Sequence, residues 1–457
     1  MTRAGVVGAS GPLRPFRTRI GLLWVAAWIP AVQAAPPAKY AGKCSDTGCH
    51  GAYLEREVVH GPVQEGTCDA CHEEVDPATH TFKLSETGGE LCLQCHDEYE
   101  GAVVHAPVSQ GECTACHDPH GAKTAHLLEG DTVAALCADC HDDIQEAIED
   151  SDVVHGPVAA GDCTTCHVAH AGAHKGLLVA IGRDLCFRCH VDLQERIEDG
   201  PHVHAPVETG CLECHAAHAS ATKRLLAAAP PELCLDCHDG IAEQLEDAVV
   251  PHTPVTSDAS CGGCHDAHVT GQTAMLRTAQ MPLCLSCHDR EIEVGGRTIA
   301  NLKGHLDAHQ YRHGPIQDGN CAPCHDAHGG ARPAMVEQSY PVRFYAAFSE
   351  DAYALCFECH DVAAFDDAET EDATEFRNGS ANLHFVHVAG PQRGRACRAC
   401  HDPHASDNPQ HIAERVAFGN WQMPIAFRAT DTGGSCAPGC HRPYRYDRNT
   451  AVVNVTP

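Results

Sequence analysis

Apolar positions are sparse along this chain and fall into short, repeated groups. After His141, the residues Ile144, Ala147 and Ile148 recur at helical spacing, as do Leu193 with Ile197 and Ile241 with Leu245. Each group predicts a short amphipathic helix. A valine pair such as Val153-Val154 then leads into a phrase of the form His-x-Pro-Val, whose proline stops the helix and turns the chain. One apolar run is longer, from Ile20 to Val32. It follows Arg3, Arg14, Arg17 and Arg19 and ends near the small residues Val32 and Ala34. That order predicts a secretory leader over residues 1–34. The alternative is a membrane anchor, but the run is short for a span and Pro30 interrupts it. No later stretch is long and apolar enough to cross a bilayer.

Composition changes the picture of the core. Among 457 residues, only 5 % are aromatic, whereas 30 are Cys and 36 are His. That is thin material for a side-chain core of this size. Beyond residue 300 the balance shifts, with 15 of the 23 aromatic residues there, including Phe344, Tyr345, Phe348, Tyr353 and Trp421. Loss of the four leader arginines takes the net charge from −31 to −35. Such a surface repels nucleic acid and favours cationic partners or plain solubility.

The cysteines carry the chemistry. Thirteen times the chain reads Cys-x-x-Cys-His. The first seven triplets are Cys68, Cys71 and His72; Cys92, Cys95 and His96; Cys113, Cys116 and His117; Cys137, Cys140 and His141; Cys163, Cys166 and His167; Cys186, Cys189 and His190; and Cys211, Cys214 and His215. The next six are Cys234, Cys237 and His238; Cys261, Cys264 and His265; Cys284, Cys287 and His288; Cys321, Cys324 and His325; Cys356, Cys359 and His360; and Cys397, Cys400 and His401. Two wider motifs bracket them. One is Cys44, Cys49 and His50, the other Cys436, Cys440 and His441, and the fifteen pairs use every Cys. Two thiols at this spacing add across the two vinyl groups of a haem, and the adjacent His meets the iron. Chance at this composition gives about 0.16 copies of the motif. A disulfide framework or zinc sites leave the contiguous triplets unexplained.

The other histidines also recur in register. Seven open a recurring phrase that is mostly the His-x-Pro-Val just described: His60, His105, His155, His204, His252, His313 and His387. Six lie three residues after a motif histidine: His120, His170, His218, His268, His328 and His404, with His80 standing in for that member in the first unit. These fourteen are the expected distal ligands. For the fifteenth, His126, His174, His202, His305, His309, His384 and His411 remain, with His384 favoured and then His309. A histidine three residues from a motif histidine cannot approach the same iron from the opposite face, so it must serve a neighbouring one. Methionine is too scarce for general Met/His ligation, so bis-His irons of low potential are expected.

Two kinds of motif alternate. One is followed by the second His, the other by a helix. The second kind ends at His50, His96, His141, His190, His238, His288, His360 and His441. The pattern resembles the multihaem c-type cytochromes with doubled Cys-x-x-Cys-His motifs over nearly the whole chain after residue 34. The resemblance is plainest in Gly111–His120 with Leu136–His141, and near the end in Phe376-Arg-Asn-Gly, Asn382–His387 and Gly433–His441. It implies a mainly α protein with much irregular coil and little or no sheet. Tandem haem-filled repeats would run over 35–300, with an aromatic-richer multihaem region over 301–457. It implies about fifteen covalent haems in a continuous row, serving periplasmic or extracellular respiratory electron transfer. The partners would be other redox proteins, among them other cytochromes, an outer-membrane porin or an extracellular acceptor. A multihaem reductase of nitrogen or sulfur oxyanions and a conductive filament subunit stay open as alternatives. At about 28 residues per haem, the haems themselves would be the core, and the apo chain would be unfolded.

Overall fold

The computed structural model describes residues 43–455 except 47, 258–259 and 391–393. The leader expected over 1–34 lies outside the described residues. The chain divides into two units, one of Met1–His96 with His117–Leu127 and one of Asp97–Cys116 with Leu128–Pro457.

The expectation of a mainly α protein is corrected. Helix of all kinds makes up 35 % and strand 19 %, and turn and coil make up the rest. The helices are short because phrase prolines and motif turns interrupt them every few residues. Those read from apolar spacing are present as Asp142–Glu149, Val191–Asp199 and Asp239–Asp247. Each begins directly after a motif histidine. The sheets are minimal: among the described residues there are ten two-stranded pairs and one of three strands, Arg428–Thr430, Gly433–Cys436 and Tyr444–Asp447.

Most of these pairs form one repeated clasp. The two residues before a phrase histidine pair antiparallel with the two residues after a later second histidine. In the first unit, Val58–Val59 pairs with Gly121–Ala122. In the second, Val103–Val104 pairs with Ala171–Gly172, and Val153–Val154 with Ala219–Ser220. His202–Val203, Val250–Pro251 and Tyr311–Arg312 pair likewise with Val269–Thr270, Gly329–Gly330 and Ala405–Ser406. β-Branched residues suit one side of the clasp, and small residues let the other lie close. Gly121 shows how close: its φ is +151°, and a Cβ there would meet the Val58 carbonyl oxygen at 2.6 Å. Gly121→Ala is therefore expected to cost about 2 kcal/mol of stability, read as a lower thermal midpoint of the holoprotein.

Buried side chains are few. Before residue 300, among the described residues, only Ile197 and Val269 are buried hydrophobics. Two small clusters lie later in the second unit. Tyr353, Val388 and Ala396 pack with Phe348, Phe357 and Phe365. Ala413, Val416, Met423 and Ile425 pack with Phe344 and Phe427.

Candidate functional site

Each Cys-x-x-Cys-His motif is a single tight turn. Cys166 N–H donates to Cys163 O at 3.3 Å and His167 N–H to the same oxygen at 3.1 Å; Cys214 and His215 bond Cys211 O at 3.3 and 3.0 Å. Two thiols and an imidazole are thereby held within one turn of backbone. In the motifs followed by a second His, the chain then makes a loop of fixed length. Two residues, nine and ten positions after the motif histidine, take left-handed φ: His126 and Leu127, Arg224 and Leu225, Ala274 and Met275, Ala334 and Met335, Gln410 and His411.

That loop fixes the tautomer of the imidazole. Nδ1 of His117, His167 and His215 meets the carbonyl oxygen of residue 126, 176 or 224 at 2.7, 2.8 and 3.0 Å. His265, His325 and His401 meet residues 274, 334 and 410 at 2.8, 2.9 and 2.8 Å. A carbonyl only accepts, so Nδ1 carries the hydrogen and Nε2 is left bare as a ligand. The phrase histidines are set the same way. His60, His105, His155, His204 and His252 donate from Nδ1 to the carbonyls of Pro119, Ala169, Ala217, Ala267 and Ala327 at 2.7–3.0 Å.

Motif and non-motif histidines then face one another in pairs. In the first unit, His50 faces His80, His96 faces His60 and His72 faces His120, with ring centres 6.3, 6.0 and 6.1 Å apart. In the second unit, His141 faces His105, His190 faces His155 and His167 faces His218 at 6.2–6.3 Å. His238 faces His204, His215 faces His268, and His288 faces His252 at 6.1, 5.9 and 6.4 Å. His265 faces His328, His360 faces His313, and His325 faces His404 at 6.1, 6.0 and 6.3 Å. The ring planes lie within 28° of each other throughout. This separation fits one metal between two imidazoles. Two bonds of about 2 Å, with about 1.1 Å from each nitrogen to its ring centre, give about 6.2 Å.

Two non-motif histidines of the last region lie near motif histidines. His384 is buried, and its pKa is pushed down to about 4 by that burial, with His401 and His387 adding to it. Burial also lowers His387, with His441 among its neighbours. His170 stacks on Tyr99 at 4.0 Å. The remaining histidines are placed otherwise. His126 supplies a carbonyl to His117, His174 opens the turn Lys175–Leu177, and His202 lies in a clasp strand. His305 and His309 touch each other at 4.4 Å, and His411 stands edge-on to His313.

Consecutive motifs also meet through their cysteines. Burial pushes the thiols of Cys137 and Cys186 up to about 11 and Cys234 to about 12, with Cys163, Cys211 and Cys261 beside them as further causes. Cys284 is raised chiefly by its hydrogen bond with Cys321. On the other side of these motifs, Cys214 neighbours Cys237 and Cys264 neighbours Cys287. The seats of successive motifs are therefore adjacent within the second unit.

Six of the expected tethering cysteines stand apart from these buried pairs. Cys49, Cys95, Cys140, Cys189 and Cys359 are exposed, and Cys71 is half-buried. Cys140 still neighbours Cys116, and Cys359 neighbours Cys324. What places five of the six is the motif turn alone. Cys71, Cys95, Cys140, Cys189 and Cys359 donate their N–H to the carbonyl oxygens of Cys68, Cys92, Cys137, Cys186 and Cys356 at 3.1–3.3 Å. Apart from Cys71, each is the second cysteine of a motif of the second kind. Cys49 departs further, since its N–H donates to Asp46 O at 3.2 Å and not to Cys44. The first wide motif is thus not the tight turn of the other thirteen. The wide motif at the end also differs: Cys436 ends a strand, Cys440 Sγ lies 3.5 Å from Met423 Sδ, and His441 stacks on Tyr444 at 4.7 Å.

Sequence reasoning placed the cysteines and histidines but missed the clasps and the left-handed loops. The constant nine-residue offset and the small residues after most second histidines were the available signals. A family model described as the doubled CXXCH motif matches seven times in tandem, over residues 60–101, 105–146, 155–195, 204–243, 252–293, 313–365 and 390–418. No curated protein matches the chain.

Proposed function

Because the chain belongs to the doubled CXXCH motif family and is thus a multihaem c-type cytochrome, we propose that it conducts electrons through about fifteen bis-His haem sites, in respiration outside the cytoplasm. The observation that carries this reading is the repeated pair of facing imidazoles, each beside a Cys-x-x-Cys turn. Bound there, haem c supplies a one-electron iron centre.

The chain's own residues do the rest. The motif cysteines would tether the group, and the motif histidine would offer its bare Nε2 to the iron. In this reading the exposed thiols of Cys95, Cys140, Cys189 and Cys359 are covered by the group they hold. A phrase or second histidine facing each motif histidine would also hold the group, which would tie neighbouring sites to each other. Of the motif histidines, His401 and His441 take His384 and His387. Bis-His filling leaves no open coordination position for a substrate, which favours a carrier over a reductase. No helix among the described residues is long and apolar enough to cross a membrane. The acidic surface suits a cationic redox partner.

The test is the intact mass of the purified holoprotein together with its visible and EPR spectra. Fifteen covalent haems, all low-spin, are expected. Replacing both Cys44 and Cys49 by Ala should remove one, and so should replacing both Cys436 and Cys440. A count of thirteen, unchanged in both variants, would exclude the wide motifs. A substantial high-spin signal would sink the bis-His assignment.

A further inference from the structure

Four of the second histidines share a partner that the others lack. We propose that Asp118, Asp266, Asp326 and Asp402 are positioning residues that set the distal imidazoles two residues on and lower the redox potential of those four sites. The proposal rests on the bis-His reading above.

The geometry repeats. Oδ1 of each aspartate accepts the backbone N–H of the histidine, His120, His268, His328 or His404, at 2.9–3.0 Å. The same oxygen lies 3.5, 3.8 and 3.7 Å from Nδ1 of His120, His268 and His328. The aspartate's charge also acts on His404. The second oxygen is held from another segment. Arg56 binds Asp118 Oδ2 and Gln244 binds Asp326 Oδ2. Arg196 reaches Asp266 Oδ2 at 2.8 Å and His305 reaches Asp402 Oδ2 at 3.2 Å. The carboxylates are thus pinned at both oxygens and partly shielded from water.

The exceptions point the same way. Arg196, Gln244 and His305 each stand eight residues before a phrase histidine. Where that position is Ala147, the residue two before the second histidine His218 is Ala216. Where it is Asp97, which has no hydrogen to donate, the corresponding residue before His170 is Val168. Donor and carboxylate come and go together, as expected of a paired device rather than of incidental surface charge.

The electrostatic consequence follows from the sign. The ferric site carries one more positive charge than the ferrous site, so a fixed carboxylate beside the imidazole favours the ferric form. Arg56 and Arg196 offset part of this. Gln244 is neutral, so Asp326 acts with least compensation, on the site of His265 and His328. The site of His167 and His218 has no carboxylate two residues before the distal histidine, only the charge of Asp143 from another segment, and should lie higher.

The test is a redox titration of the full holoprotein, followed by visible absorption and EPR, for Asp326→Asn and Ala216→Asp. Asparagine keeps the acceptor for the His328 N–H, and the Gln244 amide can turn to meet it. In Asp326→Asn, one step in fifteen should move to higher potential with the haem count unchanged. In Ala216→Asp, one step should move to lower potential. A titration of Asp326→Asn that overlays the parent, or shifts of the same direction in both variants, overturns the proposal. Loss of a haem in Asp326→Asn does so too, since it would make Asp326 part of the attachment rather than of the tuning. Failure of the underlying bis-His reading is told apart by the parent spectrum alone.

Discussion

A chain denied haem attachment is expected to be unfolded, with a far-UV spectrum of coil and no cooperative thermal transition. Ordering a residue costs roughly 1–2 kcal/mol of backbone entropy. Against that stand two clusters of three and four buried residues and a set of two-residue strand pairs. Isolated pairs of this kind have no stability in water. On the function proposed above, the missing contribution would come from haem held at the motifs, as with small metal-dependent domains that fold only when loaded. The comparison is made on a chain produced without haem-attachment machinery, by circular dichroism and limited proteolysis. Fragments around Phe344–Ile425, where both clusters lie, should be the last to be cleaved. A cooperative melt of the apo chain would defeat the claim.

The same scarcity of core explains what could be read in advance. The cysteine spacing and the register of the histidines were legible because covalent attachment and axial ligation fix residue types at fixed offsets. The helices after His141, His190 and His238 were legible because their apolar stripe is local. The clasps were not, since Val153-Val154 and Ala219-Ser220 are far apart in sequence and two residues long. A pair that short has no periodicity to detect. The left-handed pairs at Ala274-Met275 and Gln410-His411 were hidden for another reason: no glycine marks them, and the Nδ1 of His265 or His401 holds the carbonyl of the first residue in each. Spacing also could not tell buried thiols such as Cys137 and Cys234 from exposed ones such as Cys95 and Cys189, because burial depends on which motif lies alongside. The mainly α expectation failed on a related point. It took the helical spacing of a few segments as typical, whereas turn and coil make up nearly half of the chain and small strand pairs are frequent. The aspartates looked like ordinary members of an acidic surface until the structure set Asp266 between Arg196 and His268.

Removing one seat from the middle of the second unit is expected to do more harm than the loss of one site in fifteen. Replacing Cys211 and Cys214 by Ala abolishes attachment at the motif whose His215 faces His268 at 5.9 Å. What remains between these segments is modest. His204 N–H donates to His268 O at 3.0 Å, its Nδ1 to Ala267 O at 3.0 Å, and Arg196 pairs with Asp266 at 2.8 Å. Each contributes about 1 kcal/mol or less. Structural metal sites contribute roughly 10 kcal/mol or more, so the clasp of His202–Val203 with Val269–Thr270 should open locally. Amide exchange there should quicken by roughly 100-fold or more, while Val103–Val104 and Ala171–Gly172 keep their protection. The functional effect separates a conduit from a store. Cys211 lies beside Cys186, and Cys214 beside Cys237, so the lost seat interrupts a row of adjacent sites. A store would lose one fifteenth of its reducing equivalents and otherwise behave as before. A conduit would lose that fraction too, but passage from the sites before residue 200 to those after 230 would fall far more steeply. Stopped-flow reduction, followed by transfer to a soluble acceptor, measures both quantities. A transit rate that drops only in proportion to the haem count would identify the protein as a store.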